Sequence, residues 1–243
     1  MDWSNVILAL AGLFLAGVVK GGTGLGFSSC ALPFLVPAVG LPVAMTVVLA
    51  PALATNLGVA LTAGHFREVS TRFWVFYVAT VPGIFIGMAL LAICDKAVAV
   101  KLLGICVMSY ALLALTRPDF HLPPALARRL QGPVGLANGV VAGFTGSQVV
   151  PLLPYMMSLG LEPGRMVQAI NLSVMLSSIG LAAALAGNGL VTWTLAGLSL
   201  AAVIPAMVGV KLGTAWRQQL PEHRFRLIVL IALLVIGCSL AIR

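Results

Sequence analysis

Charged and acidic side chains are scarce in this sequence of 243 residues. Asp and Glu number 6 against 14 Lys and Arg, and charged residues make up only 8% of the chain. The four cysteines, Cys30, Cys94, Cys106 and Cys238, stand singly, without CxxC or paired spacing. No HExxH, no GxSxG and no His/Cys cluster occurs. The sequence therefore predicts no enzyme, no metal site and no cofactor.

Apolar residues predominate in the composition instead. They make up 60% of the chain, and the mean hydropathy is +1.10, far above that of water-soluble domains. Uncharged stretches of roughly 20 residues match a helix that crosses about 30 Å of hydrocarbon. The sequence predicts an all-α polytopic membrane protein with apolar runs at 5–19, 27–40, 43–63, 73–93, 97–116, 132–145, 148–160, 166–186, 190–213 and 224–242.

Five of these runs precede the polar stretch 118–131, and five follow it. The two halves align: GVVKGGTG from Gly17 matches GVVAGFTG from Gly139, and ALATNLG ending at Gly58 matches VMLSSIG ending at Gly180. This order predicts a duplication, with membrane repeats at 1–117 and 132–243 joined by a cytoplasmic loop at 118–131. An odd number of segments per repeat makes the repeats inverted in the membrane.

The basic residues fit this arrangement. With the N-terminus outside, only Lys96, Lys101 and Arg243 of the 14 Lys and Arg fall on the outer side, as the positive-inside rule requires. The net charge of +8 therefore indicates topology rather than a nucleic-acid partner. The predicted location is the bacterial inner membrane, in contact with lipid. The oligomeric state is left open.

The first two runs of each half are predicted to be short or broken. The run 5–19 is too short to span, and Pro33 and Pro37 interrupt the next one. Each pair therefore predicts a broken or re-entrant hairpin, with KGGTGLG or GFTGSQ at its tip. Non-helical backbone at membrane depth is stable only inside protein or beside a polar cavity. The two tips are expected to meet near the midplane and to turn backbone N–H groups toward an anion.

Two simpler interpretations of the tips stay open. The glycines can serve helix packing alone, as we expect for Gly83, Gly87, Gly209 and Gly213. Lys20 can extend to the lipid headgroups as a topology signal. The third run of each half adds polar groups at matching depth, among them Asn56 and Asn171, which can either join helices or donate to an oxyanion. The candidate substrate-binding residues are Lys20, Gly21, Gly22, Thr23, Gly24, Ser28, Asn56, Thr145, Gly146, Ser147, Gln148 and Asn171.

These motifs resemble those of the sulfite exporter TauE/SafE family. The likeness rests on GVVKGGTGLGF from Gly17, on Pro33, on GLP from Gly40, and on a second, degenerate GVVAGFTGSQ after the central stretch. It covers nearly the whole chain. The resemblance implies a permease for a small anion such as sulfite, sulfoacetate or another sulfonate.

The expected function is thus export of a small anion, driven by the membrane potential through alternating access, without a buried carboxylate to relay protons. The alternatives are an uptake permease or an ion-coupled permease for similar anions, and a membrane scaffold that transports nothing.

Overall fold

The computed structural model describes residues 3–24, 26–62, 64–116, 121–219, 230–231, 233–235 and 237–241. Within these residues every regular element is a helix and no strand occurs. The helices are α1 (Trp3–Thr23), α2 (Phe27–Val39), α3 (Leu41–Thr62), α4 (Phe66–Arg72), α5 (Trp74–Ile93), α6 (Lys96–Thr116), α7 (Pro124–Thr145), α8 (Leu152–Met157), α9 (Pro163–Gly187), α10 (Trp193–Ala201) and α11 (Val203–Gln219).

Six candidate spans among the described residues are long and apolar enough to cross a membrane. They are Ser4–Thr23, Leu41–Leu61, Trp74–Ile93, Lys96–Leu113, Pro163–Gly187 and Trp193–Trp216. The prediction of an all-α polytopic membrane protein is confirmed at this level. The last predicted run, 224–242, lies partly outside the described residues; its described residues between 230 and 241 are helical.

The prediction that the first run is too short to span was wrong. α1 has 21 residues, about 31 Å of helix, because it stays helical through Lys20, Gly21, Gly22 and Thr23. Close packing explains this continuity: a Cβ at Gly21 would overlap the Val210 carbonyl oxygen of α11. The intrinsic cost of glycine in a helix is offset by that contact.

The second run is short but unbroken, which corrects the expected break at Pro33 and Pro37. α2 has 13 residues, about 20 Å, and continues through both prolines. Pro33 is buried in protein, where neighbouring helices make proline tolerable in an apolar helix.

The second half differs from its predicted boundaries in a similar way. α7 begins at Pro124, inside the predicted loop 118–131, since Ala127 and Gln131 form a buried face while Arg128 and Arg129 are exposed. Residues 118–120 of that loop lie outside the described residues, and the division into 1–117 and 132–243 stays a prediction. The run 148–160 contains only the six-residue helix α8. Helix α4, between two predicted runs, was not predicted.

Glycines bring two pairs of helices into backbone contact. A Cβ at Gly209 or Gly213 of α11 would overlap a carbonyl oxygen of α1. A Cβ at Gly83 or Gly87 of α5 would likewise overlap a carbonyl oxygen of α7. The packing role expected for these four glycines is confirmed, and each pair joins one predicted repeat to the other.

Helices α3 and α9 pack against each other, and α2 packs against both α1 and α3. The end of α1 and the loop after α7 are thereby held beside α3 and α9. These four elements surround the candidate site.

Candidate functional site

Lys20 is buried near the end of α1, with only 3% of its surface exposed. Its ammonium donates to the amide oxygen of Asn56 on α3 at 2.7 Å and to the amide oxygen of Asn171 on α9. One cation therefore links three helices that are far apart in sequence. The structure brings together these three residues of the predicted set.

The two asparagines also donate, but to backbone oxygens. Nδ2 of Asn56 donates to the Ala52 carbonyl oxygen at 2.6 Å. Nδ2 of Asn171 donates to the carbonyl oxygens of Val167, at 2.7 Å, and of Gly24, at 3.3 Å. In this conformation the asparagines join helices by accepting from Lys20, which is one of the two roles left open for them. Because the amide nitrogens are tied to backbone, the amide oxygens are fixed toward the ammonium.

Lys20 has no acidic partner among the described residues. Glu68 and Glu162 both lie against Arg165, and Asp95 is exposed and accepts from the Ala97 N–H. An ammonium has three N–H donors, and the asparagines accept from two. A buried ammonium held only by neutral oxygens has no compensating negative charge, an arrangement that is costly in an apolar interior.

The chain leaves helix α1 at Gly24, where φ is +76°, a backbone conformation that favours glycine. The Gly24 N–H donates to the Lys20 carbonyl oxygen at 2.7 Å and closes the last turn. Thr23 donates to the Val19 carbonyl oxygen at 2.8 Å. Gly22 is buried within the same turn. The first tip is therefore helical through Thr23, which corrects the fully non-helical tip expected from its glycines, and residue 25 of the motif lies outside the described residues.

The second tip lies between α7 and α8. Gly146, with φ of +75°, ends α7, and the Ser147 N–H donates to Thr145 Oγ1 at 3.1 Å. Both amide atoms of Gln148 lie 3.3 Å from Ser178 Oγ on α9. All four predicted residues of this tip are buried.

A direct hydrogen bond joins this second tip to the helix that follows the first. The hydroxyls of Ser29, in the first turn of α2, and Ser147 are 2.9 Å apart. The first turn of α2, which follows the first tip, therefore lies against the second tip, whereas the meeting of the two tips themselves stays a prediction.

A small cavity of about 10 Å³, room for roughly one water molecule, lies beside this junction. Ser28, Gln148 and Ser178 are its polar lining residues, and Leu32, Met45 and Leu181 are among the apolar ones. The Ser28 hydroxyl is buried and has no hydrogen-bond partner among the described residues. A small oxyanion does not fit this volume, so the cavity is closed to such a ligand in this conformation.

Neither Ser29 nor Ser178 was among the candidate residues predicted from the sequence. Ser29 follows Ser28 directly, so a helix places the two hydroxyls about 100° apart on different faces. The motif alone does not say which of them meets the second tip. For Ser178, its alignment with Asn56 in the two halves was the available signal.

The family model described as Sulfite exporter TauE/SafE matches residues 8–240 of the chain. No curated protein and no solved structure matches it.

Proposed function

Since the chain belongs to the sulfite exporter TauE/SafE family, we propose that it exports a small oxyanion such as sulfite, sulfoacetate or another sulfonate, and that Lys20 binds the anion. Membership of this family and six helices long enough to span make the chain a multi-pass membrane protein of a transporter family. The substrate, the direction of transport and the mechanism are the proposal.

The observation that carries the proposal is the uncompensated charge of Lys20. A lysine kept only to join helices would be stabilised by a carboxylate, yet Asn56 and Asn171 supply neutral oxygens. Neutral partners leave the net positive charge available to an anion that enters. The ammonium can then turn from the amide oxygens to the anion, because both are hydrogen-bond acceptors.

The remaining candidate residues divide into three groups. Ser28, Thr145, Ser147 and Gln148 lie near the junction of the tips, where hydroxyl and amide donors suit an oxyanion. The glycines act through the backbone: Gly21 lets α1 approach α11, Gly22 is buried in the last turn of α1, and Gly24 and Gly146 form the turns. Thr23 and Asn171 hold the end of α1 in place through hydrogen bonds to backbone oxygens.

Alternating access follows from two inverted repeats, which we propose on the evidence of their packing. Helix α1 packs on α11, and α7 packs on α5. By their matching motifs α1 and α7 are equivalent, and α5 and α11 both belong to the fourth run of their half. Each first helix therefore packs on the fourth run of the other half, which supports a two-fold relation between the halves. Rocking of one repeat against the other would break the Ser29–Ser147 bond and open the site.

The membrane potential can drive export without a coupled cation. In a cell that is negative inside, an anion that leaves gains about 2.3 kcal/mol per charge per 100 mV. The described carboxylates Glu68, Asp95 and Glu162 lie outside the helices that span, so none of them can relay protons at the site. The bacterial inner membrane and an external N-terminus complete the proposal.

The proposal is tested with purified protein in liposomes that contain sulfite. An imposed potassium diffusion potential, negative inside, is expected to accelerate sulfite efflux, and collapse of the potential with valinomycin at equal potassium is expected to slow it. Sulfite efflux that does not depend on the membrane potential but requires a proton or sodium gradient would favour the ion-coupled permease. Absence of any flux under all these conditions would favour the scaffold.

A further inference from the structure

We propose that a second anion site, separate from Lys20, binds the phosphate of an anionic phospholipid in the cavity where α5 and α7 begin. The cavity has a volume of about 850 Å³, within the usual range of ligand sites. Arg72 at the end of α4 and Arg128 in the second turn of α7 are among its lining residues. This inference does not depend on the proposed function.

The charges around the cavity leave both arginines available to an anion. Glu68 also lines the cavity, but its carboxylate lies 3.2 Å from Arg165 Nε. Among the described residues, no other carboxylate forms an ion pair with Arg72 or Arg128. Two guanidinium groups that line the same cavity, and that have no acidic partner in the part of the chain that the structure describes, are suited to a phosphate.

Two helix N-termini add to this positive potential. α5 begins at Trp74 and α7 at Pro124, and neither helix has a side-chain cap. First-turn N–H groups have no partner within the helix, and the helix dipole favours an anion there. Val75 and Ala125, from these first turns, line the cavity.

The surroundings favour a lipid over a free anion that passes through. Trp74, which lines the cavity, is 59% exposed, as is typical of residues at a membrane interface. On the side of the cavity that faces the protein, the ring of Tyr155 stacks on that of the fully buried Phe76, with 5.7 Å between the ring centroids. Gln131 donates to the Arg72 carbonyl oxygen at 3.0 Å. Tyr155 and Gln131 line the cavity and are themselves buried, so packed side chains form its deep side. The predicted orientation places the site in the inner leaflet.

Native mass spectrometry of the full-length protein in detergent tests this inference, with phosphatidylglycerol and phosphatidylcholine as the added lipids. Phosphatidylglycerol is expected to bind more tightly, and Arg72→Gln and Arg128→Gln should each weaken it about fivefold, since each basic residue contributes roughly that factor. Arg129→Gln is the matched control. It removes the same charge from the neighbouring exposed residue, which is not among those that line the cavity, and should leave the affinity unchanged.

Two results would overturn the inference. Equal loss in all three variants would indicate general attraction to a basic surface. If inorganic phosphate at millimolar concentration displaced phosphatidylglycerol fully from the wild-type protein and bound with equal affinity, the site would be one for a free oxyanion. Sulfite efflux should be retained in Arg72→Gln and Arg128→Gln, which separates this site from the one at Lys20.

Discussion

The ammonium of Lys20 lies 2.7 Å from the amide oxygen of Asn56, and the same amide's nitrogen is bound to the Ala52 carbonyl oxygen. The asparagine is therefore oriented so that a neutral oxygen, rather than a charge, faces the lysine. This arrangement holds the cation in place without neutralising it. A permease for anions needs such a residue, because a neutralised lysine would not attract its substrate.

Asn56→Asp separates transport from stability. The carboxylate would form an internal ion pair with Lys20 without changing the shape of the side chain, so sulfite efflux is expected to fall at least tenfold. The melting temperature should change little, because the loss of the hydrogen bond to the Ala52 carbonyl oxygen is offset by a hydrogen bond between charged groups, worth about 1.5–3 kcal/mol. Efflux from proteoliposomes and thermal melts in detergent measure the two effects.

Asn188→Asp is the control for this variant. Asn188 makes the same type of bond to the carbonyl oxygen four residues before it, at 2.8 Å, but lies exposed at the end of α9. Sulfite efflux by the Asn188→Asp variant should equal that of the wild type. Normal efflux in Asn56→Asp would show that the charge of Lys20 is not used by the substrate.

Lys20→Met is expected to abolish stabilisation by the anion. Sulfite at ten times its Kd should stabilise the wild-type protein by about 1.4 kcal/mol, seen as a melting temperature a few degrees higher. The variant keeps the length of the side chain but loses its charge, so its melting temperature should not respond to sulfite. Lys101→Met, which changes an exposed lysine of α6, should respond as the wild type does. An equal response in Lys20→Met would place sulfite elsewhere.

Gly17→Ala and Gly139→Ala are expected to destabilise the protein through equivalent contacts. A Cβ at either position would overlap a backbone carbonyl oxygen, that of Ala206 or that of Thr80, so the paired helices must separate. We expect losses of about 1–3 kcal/mol, the usual cost of overpacking. Gly197→Ala in α10, where the Cβ meets nothing within 4 Å, should be neutral or stabilising. Thermal melts that rank Gly197→Ala below the other two would contradict this packing.

Ser29→Ala and Ser147→Ala are expected to be coupled. If their hydroxyls bond to each other, the double variant should lose less stability than the sum of the single ones, by about 0.6 kcal/mol and at most about 1.7. Pairing Ser29→Ala with Ser70→Ala, whose hydroxyl donates to the Arg67 carbonyl oxygen of its own helix α4, should give additive losses. Additivity in the Ser29/Ser147 cycle would mean that the two tips are not joined.

Most of the helices could be predicted from the sequence, because each required only an apolar run and its flanking breaks. The boundaries could not. Gly21 and Gly22 look like helix breakers in isolation, but α11 packs on this part of α1 and keeps it helical. Likewise, Arg128 and Arg129 suggest a loop, although Ala127 and Gln131 give the same stretch a buried face.

The proximity of Lys20, Asn56 and Asn171 could be predicted from the sequence, but their hydrogen bonds could not. The position of Lys20 beside glycines, and the polar residues of α3 and α9, pointed to one region. The sequence did not reveal that Asn56 and Asn171 would turn their oxygens to Lys20. That orientation depends on backbone carbonyls of Ala52, Val167 and Gly24, whose positions only the folded chain defines.

Selenite, a heavier analogue of sulfite with the same pyramidal shape, offers the most direct measurement. In crystals of the wild-type protein grown with selenite, we expect an anomalous peak within about 4 Å of Lys20 Nζ, and none there in Lys20→Met crystals. An ordered selenite elsewhere between the membrane-spanning helices, with Lys20 still bound to both asparagines, would contradict it.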